Sequence, residues 1–182
     1  MRLLIAGWQG QLARALVEVA PAASDITALA VGRPALDICN PATITRAMTD
    51  FRPDVIINTA AYTDVEKAES EPDKAYALNR DGALLLAEAA ARRGAAIIHL
   101  STDHVFDGAK GGAHVEDDVP APLNVYGHSK LEGERAVRAA NPRHVVVRTS
   151  WVWSASGRNF VKRMLAEAKA GRDVRVVDDQ TG

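Results

Sequence analysis

Tyr126 and Lys130 are four residues apart in the stretch LNVYGHSKLEGE, residues 123–134. In a helix, side chains at this spacing rise from one face. A tyrosine hydroxyl titrates at about pH 10, so it needs an adjacent cation to exchange protons with a sugar hydroxyl or ketone near neutrality. We expect Lys130 to supply that charge and to lower the pKa of Tyr126. The spacing occurs by chance in roughly one such sequence in ten, so the rest of the chain must support this interpretation.

The beginning of the chain has the pattern of a dinucleotide-binding turn. A short apolar run, residues 2–6, leads into GWQGQLA and then into a helix-like stretch. We expect Gly7 to allow the tight turn and Gly10 to let the backbone approach a pyrophosphate. Gln11 and Leu12 would open the helix whose N-terminus faces the phosphates. A purely structural glycine turn is the alternative, because this pattern has low specificity.

The end of the second predicted strand, residues 25–31, should face the adenosine ribose. An acid at this point favours a free 2'-hydroxyl, whereas an arginine accommodates a 2'-phosphate. Arg33 is the nearest residue and favours NADPH, with NADH tolerated; a solvated loop arginine is the alternative. Asp37 and Ile38 are expected to close over the adenine, and a turn role for Asp37 is equally consistent with the sequence.

Small and hydroxyl-bearing residues follow the next two predicted strands, residues 54–58 and 95–100. The segment TAAYT after the first of them is expected to form a floor under the nicotinamide. Thr102, after the second, is well placed to hold a substrate oxygen. A capping or turn role for Ser101 or Asp103 is the competing interpretation.

Strand and helix alternate along the whole chain. A fifth strand is predicted at residues 143–149, a helix at about 158–170 and a last short strand at Val174 to Val177. This alternation predicts an α/β fold, a Rossmann-type doubly wound parallel sheet with strand order 3-2-1-4-5-6. Residues scattered through the sequence then meet at the carboxyl edge of the sheet: Gly7, Ala61, Thr102, Tyr126 and Trp151.

The composition is that of an ordinary globular domain and excludes several classes of protein. Of 182 residues, 47% are hydrophobic and 25% charged, and 22 basic against 23 acidic residues leave a net charge of -1. Without a basic block, we expect no nucleic-acid partner. We expect no membrane span either, because no apolar run approaches about 18 residues. The single cysteine, Cys39, and the absence of a leader-like N-terminus favour a reducing cytoplasm.

Five separated motifs resemble those of the dTDP-4-dehydrorhamnose reductases, members of the extended short-chain dehydrogenase/reductase superfamily. They are GxxGQ at 7–11, NxAAYT at 58–63, STDxVFDG at 101–108, PLNVYGxxK at 122–130 and RTSWV at 148–152. The resemblance implies a sugar-nucleotide substrate. The 4-keto group of dTDP-6-deoxy-L-lyxo-4-hexulose would be reduced by NAD(P)H to give dTDP-L-rhamnose.

The resemblance also implies roles for particular residues. The catalytic group would be Thr102, Tyr126 and Lys130, and the substrate contacts would be Val65, Thr102, Asp103 and Trp151. We expect these residues to bind the cofactor: Gly7, Gly10, Gln11, Leu12, Arg33, Asp37, Ile38, Ala61, Tyr62, Thr63, Leu100, Tyr126 and Lys130. No metal ligands are expected, and a homodimer is one expected assembly.

The chain departs from the family at Trp8, His104 and Trp153, and in its length. Family members continue for roughly another hundred residues, which form a smaller substrate domain. We therefore expect residues 1–182 to be the NAD(P)-binding domain of a truncated chain that stops within the motif DQTG. Two alternatives remain open: a sugar-nucleotide epimerase or dehydratase that retains its NAD, and a non-catalytic regulatory subunit with the same fold.

Overall fold

The computed structural model describes residues 1–157 and 159–176 and contains a parallel sheet with helices on both faces. Its strands are β1 (Arg2–Ala6), β2 (Thr27–Val31), β3 (Val55–Asn58), β4 (Ala96–Thr102) and β5 (His144–Thr149). In the described part of the chain they lie in the order β2-β1-β3-β4-β5, every pair parallel. The predicted doubly wound α/β class is confirmed.

The predicted strand order 3-2-1-4-5-6 is wrong, because β3 lies inside the sheet and not beyond β2. Ile57 pairs with Ile5 of β1 on one side and with Ile98 of β4 on the other. The physical reason is burial. β3 is apolar and buried on both faces, which suits a central position, whereas Leu29 of β2 is exposed, as an edge strand allows.

The last predicted strand is also wrong over its described residues. Val174 and Val176 are exposed and have no regular secondary structure, and Val177 lies outside the described residues, as does the motif at residues 179–182. A strand needs a neighbour that accepts its hydrogen bonds. In the described part of the chain, β5 ends the sheet.

The helices occupy most of the predicted positions. They are α1 (Gln11–Val19), α2 (Pro41–Phe51), α3 (Val65–Ser70), α4 (Pro72–Tyr76), α5 (Ala83–Arg92), α6 (Val125–Ala140) and α7 (Phe160–Lys169). Asparagine side chains cap three of them: Asn40 accepts from Ala42 N, Asn124 from Gly127 N and Asn159 from Lys162 N. Such caps satisfy backbone N–H groups that have no partner within the helix.

A π-helical turn, Ala77–Gly82, joins α4 to α5. The wider turn moves Asn79 into the interior, where it is 1% exposed. Its carbonyl oxygen lies so close to Gly133 of α6 that any side chain at Gly133 would collide with it. The π turn therefore fixes the distance between α5 and α6, the helix that carries Tyr126 and Lys130.

The core fills both faces of the sheet, as the alternation along β1 requires. Leu4 and Ala6 face a large cluster that includes Ile56, Ile97 and Leu86, and Leu3 and Ile5 face a smaller one beneath α1. No helix in residues 1–157 and 159–176 is both long and apolar enough to cross a membrane.

Candidate active site

A groove with two adjoining parts follows the carboxyl edge of the sheet. The larger part, about 530 Å³, lies between α1 and α6, and the smaller, about 270 Å³, lies beside Arg33. Both parts are lined by Gln9, Gly10, Thr59, Ala61 and Thr63. A long ligand can therefore occupy both parts at once, with its centre at the glycine turn.

The glycine turn has the geometry that a pyrophosphate needs. Gly7 has φ +103°, and a Cβ there would lie 2.7 Å from Thr59 Oγ1 and 2.9 Å from Ala60 N, so only glycine fits. Gly10 has an extended backbone at the N-cap of α1, where no side chain caps the helix and no acid occupies its first turn. Backbone N–H groups of Gln11 and Leu12 there can meet an anion, so the turn fits the phosphates of a dinucleotide.

The smaller part of the groove contains the residues expected to surround the adenosine. Arg33, Asp37 and Ile38 line it. The turn role for Asp37 is also present, because its Oδ1 accepts a hydrogen bond from Cys39 N at 2.9 Å. Trp8 is accommodated because its indole lies over Gly32, where any Cβ would collide with the ring.

The larger part of the groove contains the expected reacting groups. Tyr126 and Lys130 lie on α6, and both line the groove with Thr102 and Leu100, as the helical spacing predicts. Gly127 packs so tightly on the carbonyl oxygen of His104 that a side chain there would collide with it. This close approach holds the first turn of α6 against the loop that follows β4.

Lys130 is almost fully enclosed, with 2% of its surface exposed. Its Nζ donates to Leu100 O at 2.6 Å and lies 3.5 Å from His99 Nε2. Burial lowers the pKa of Lys130 to about 8, although the negative charge of Glu134 opposes the shift. Lys130 therefore stays mostly an ammonium at pH 7 but titrates much nearer to neutrality than an exposed lysine.

Tyr126 does not have the lowered pKa that the sequence led us to expect. Burial raises the pKa of its hydroxyl, Asp103 adds to the increase, and a hydrogen bond with Thr102 opposes it. The expectation that Lys130 lowers this pKa is wrong for this structure, because Lys130 Nζ binds Leu100 O and the burial of Tyr126 dominates. Tyr126 is therefore a protonated phenol, the form that can donate.

Polar groups after β4 and β5 meet around Asp103. The Thr102 hydroxyl donates to Asp103 Oδ1 at 2.9 Å, and the Ser150 hydroxyl donates to Oδ2 at 2.9 Å. Thr102 Oγ1 also accepts from His104 N at 3.2 Å and so caps the 3-10 turn that follows β4. The cap is thus Thr102 itself, and not Ser101 or Asp103.

Val65 and Trp151, expected to contact substrate, both line the larger part of the groove. Trp151 has φ +51°, a left-handed conformation that costs a non-glycine residue roughly 1–3 kcal/mol. Its ring meets Phe160 edge to face at 5.8 Å. The indole is half exposed beside the groove, where a ligand can cover it.

Tyr62 is the one expected cofactor residue that lines neither part of the groove. Its ring packs behind Tyr126 with Ala68 and Ala75, and its hydroxyl donates to Glu71 Oε2 at 2.8 Å. Burial, with that bond to Glu71, raises the pKa of Tyr62 to about 12. Its side chain supports α6 from behind and does not face the groove.

Two supporting networks did not emerge from the sequence. Behind the reacting groups, Glu134 receives two hydrogen bonds from Arg148, at 2.9 and 2.7 Å, and one from Ser101 at 2.5 Å. At the glycine turn, Gln11 Oε1 accepts from Ser154 and Asn159, which ties the loop after β5 to α1. In the sequence, the network around Glu134 is indicated only by the position of this acid four residues after Lys130 in a predicted helix. The network around Gln11 has no comparable signal.

Comparisons with known proteins show which protein family the chain resembles. The model for the RmlD substrate binding domain matches residues 1–182. Among curated proteins, a dTDP-4-dehydrorhamnose reductase of Sinorhizobium fredii is 52% identical over 182 residues, covering 100% of this chain and 61% of that protein. The chain thus spans about three fifths of the length of the curated relatives it matches.

Solved structures agree with this assignment. A dTDP-4-dehydrorhamnose reductase from Clostridium acetobutylicum superimposes with a TM-score of 0.89 at 39% identity, covering 93% of this chain and 60% of that one. One from Bacillus anthracis, in complex with NADP, superimposes with the same TM-score at 38% identity and the same coverage. The chain belongs to the RmlD substrate binding domain family.

Proposed function

We propose that this chain carries the NADPH-binding and proton-donating part of a dTDP-4-dehydrorhamnose reductase. The observation that carries the proposal is the meeting of Tyr126, Lys130 and Thr102 in one groove that continues to an open helix N-terminus. Relatives that bear this name are 52% and 46% identical to the chain. The proposed substrate is dTDP-6-deoxy-L-lyxo-4-hexulose, and the product is dTDP-L-rhamnose.

Each reacting residue has a separate role in this reduction. Bound NADPH supplies the hydride for C4 of the sugar. Tyr126, held as a neutral phenol, donates its proton to the alkoxide that develops on the C4 oxygen. Lys130, in its ammonium form, holds the nicotinamide ribose, and Thr102 donates a hydrogen bond to the same substrate oxygen after releasing Asp103. Placement of these groups is the protein's main contribution.

The cofactor preference follows from the smaller part of the groove. We assign the 2'-phosphate to Arg33, the adenine to Ile38 and Asp37, and the pyrophosphate to Gly7 and Gly10. The related structure in complex with NADP supports a phosphorylated cofactor. NADH remains a weaker substitute, because only the 2'-phosphate contact is lost with it.

Three broader expectations remain proposals. Residues 1–182 form the NAD(P)-binding domain of a longer protein, the reaction occurs in the cytoplasm, and the substrate is a small nucleotide sugar. The free thiol of Cys39 agrees with a reducing compartment. A homodimer stays a prediction.

The test is Tyr126→Phe in the full-length context, with Tyr76→Phe, outside the groove, as the control. NADPH oxidation is followed with the keto sugar, and NADPH binding is followed by calorimetry. We expect the Tyr126 variant to lose most turnover and to keep its cofactor, because only the proton donor is removed. Near wild-type turnover would contradict the proposed role, as would an equal loss in the control.

A further inference from the structure

His99 is a buried titratable group next to Lys130 that the reduction does not use. It lies in the middle of β4 and is 1% exposed. Its two ring nitrogens meet different partners: Nδ1 lies 3.1 Å from Asn58 Nδ2 and Nε2 lies 3.5 Å from Lys130 Nζ. The side chains of Asn58, His99 and Lys130 therefore connect β3, β4 and α6 behind the reacting groups.

The orientation of Asn58 decides which nitrogen of His99 carries the proton. Asn58 Oδ1 accepts a hydrogen bond from Ala60 N at 3.1 Å, which turns its NH₂ group towards His99. His99 Nδ1 must then be the acceptor, so a neutral ring carries its hydrogen on Nε2. Burial and the charge of Lys130 lower the pKa of His99 well below its usual range, which keeps the ring neutral.

That tautomer points an N–H group at Lys130. An ammonium has three donors and no acceptor, so it gains nothing from this N–H, whereas a neutral amine accepts it and still donates to Leu100 O. We propose that His99 is a positioning residue for Lys130, and that Asn58 holds it in the Nε2–H form that favours the neutral amine. The proposal takes the role of Lys130 from the proposed function, but the tautomer does not depend on it.

The other groups around Lys130 do not replace this effect. On α6 itself, Tyr126 is neutral and Glu134 favours the ammonium. From β5, Arg148 neutralises much of the charge of Glu134 through two hydrogen bonds. On the π turn, Arg80 and Asp81 pair with each other and are exposed, and the buried side chain is the neutral amide of Asn79. Among the described neighbours, His99 is the side chain whose N–H faces the amine.

The consequence is a lysine that changes charge nearer to neutrality than an exposed lysine does. Recovery of the proton by Tyr126 is easier beside a group that can release one. By favouring the neutral amine, His99 makes it easier for Lys130 to release that proton. Removal of the N–H should raise the pKa of Lys130 by about one unit, the size of one hydrogen bond to the neutral form.

The test uses nuclear magnetic resonance on the 182-residue chain and needs no turnover. Long-range ¹H–¹⁵N spectra give the tautomer of His99, and the ¹⁵Nζ shift gives the titration of Lys130, assigned with Lys130→Met. We expect an Nε2–H ring that takes up no second proton between about pH 5 and 8. An Nδ1–H tautomer, or a histidine that titrates in that range, would overturn the proposal.

Three variants test the effect on Lys130. His99→Phe keeps a flat ring without the N–H, and Asn58→Asp forces the hydrogen onto Nδ1, so that Nε2 accepts from the ammonium. Both should move the titration of Lys130 upward, the second at least as far as the first. His144→Phe, on the neighbouring strand β5, should not move it. An unchanged titration of Lys130 in Asn58→Asp, or an equal shift in the His144→Phe control, would refute the proposal. A protein whose Lys130 titrates as expected but which lacks reductase activity would contradict only the proposed function.

Discussion

Arg148→Met tests whether the buried ion pair behind the groove holds α6 to the sheet. Glu134 is 1% exposed, and its carboxylate accepts two hydrogen bonds from Arg148 and one from Ser101. Methionine keeps much of the volume of the arginine stem but leaves the carboxylate with Ser101 alone at hydrogen-bond distance. Arg138 Nη2 lies 3.9 Å away and is half exposed to water, so it compensates weakly.

The expected loss is large for a single substitution. Removing one partner of a buried ion pair costs about 3–5 kcal/mol, because the remaining charge stays buried without compensation. The bond with Ser101 and the proximity of Arg138 place our expectation at the lower end, about 3 kcal/mol. In Glu134→Gln combined with Arg148→Met no charge stays buried, and the loss should fall to about 1 kcal/mol.

The assay is urea unfolding followed by circular dichroism at pH 7. Arg135→Met is the matched control, because Arg135 pairs on the same helix with Glu132 and both side chains are exposed. Exposed pairs contribute about 0–1 kcal/mol, so the control should barely change the free energy of unfolding. If Arg148→Met is no less stable than Arg135→Met, or if the double variant is the least stable of all, the reasoning is wrong.

Three further perturbations have defined outcomes. Arg33→Ala should weaken NADPH binding by about 1–3 kcal/mol and leave NADH binding nearly unchanged, because only NADPH presents a 2'-phosphate; equal losses in calorimetry would refute that role. Gly133→Ala should lower the free energy of unfolding by at least about 1 kcal/mol, because the alanine Cβ would collide with Asn79 O. This loss should exceed the gain from the better helix propensity of alanine, and increased stability in urea would contradict the close packing. The pKa of Lys130 falls from 10.5 to about 8 on folding, so the unfolded chain binds more protons between these values. The free energy of unfolding should therefore rise with pH in this range, by at most about 3–4 kcal/mol. The rise should be absent from Lys130→Met, and parallel curves for the two proteins would exclude the buried lysine.

The sequence predicted the elements of the site better than the sheet that holds them. Apolar runs ending in glycine or hydroxyl residues located the carboxyl ends of the strands, which is why Gly7, Ala61 and Thr102 were correctly expected at one edge. Strand order depends on which side of β1 a crossover passes; the apolar run that begins β3 (Val55–Asn58) indicates a central strand but not which strands lie beside it.

The electrostatics of the site were less predictable than its position. Helical spacing correctly placed Tyr126 and Lys130 on one face, but their pKa values depend on burial and on partners from other strands. His99 and Arg148 lie 31 and 18 residues from Lys130 in sequence, and only the parallel register of β4 and β5 brings them behind it. Long-range pairs of this kind cannot be inferred from one sequence without the topology.

Calorimetric titration of the 182-residue chain with NADPH, alongside Lys130→Met and Arg93→Met, tests most directly whether the groove is a nicotinamide dinucleotide site. Arg93 lies outside both parts of the groove, at the far end of α5, and serves as the control. We predict one NADPH per chain, bound about tenfold or more weakly by Lys130→Met, which loses the cation beside the nicotinamide half, and unchanged by Arg93→Met. Absence of binding to the folded chain, or binding that is indifferent to Lys130, would contradict the assignment of the groove.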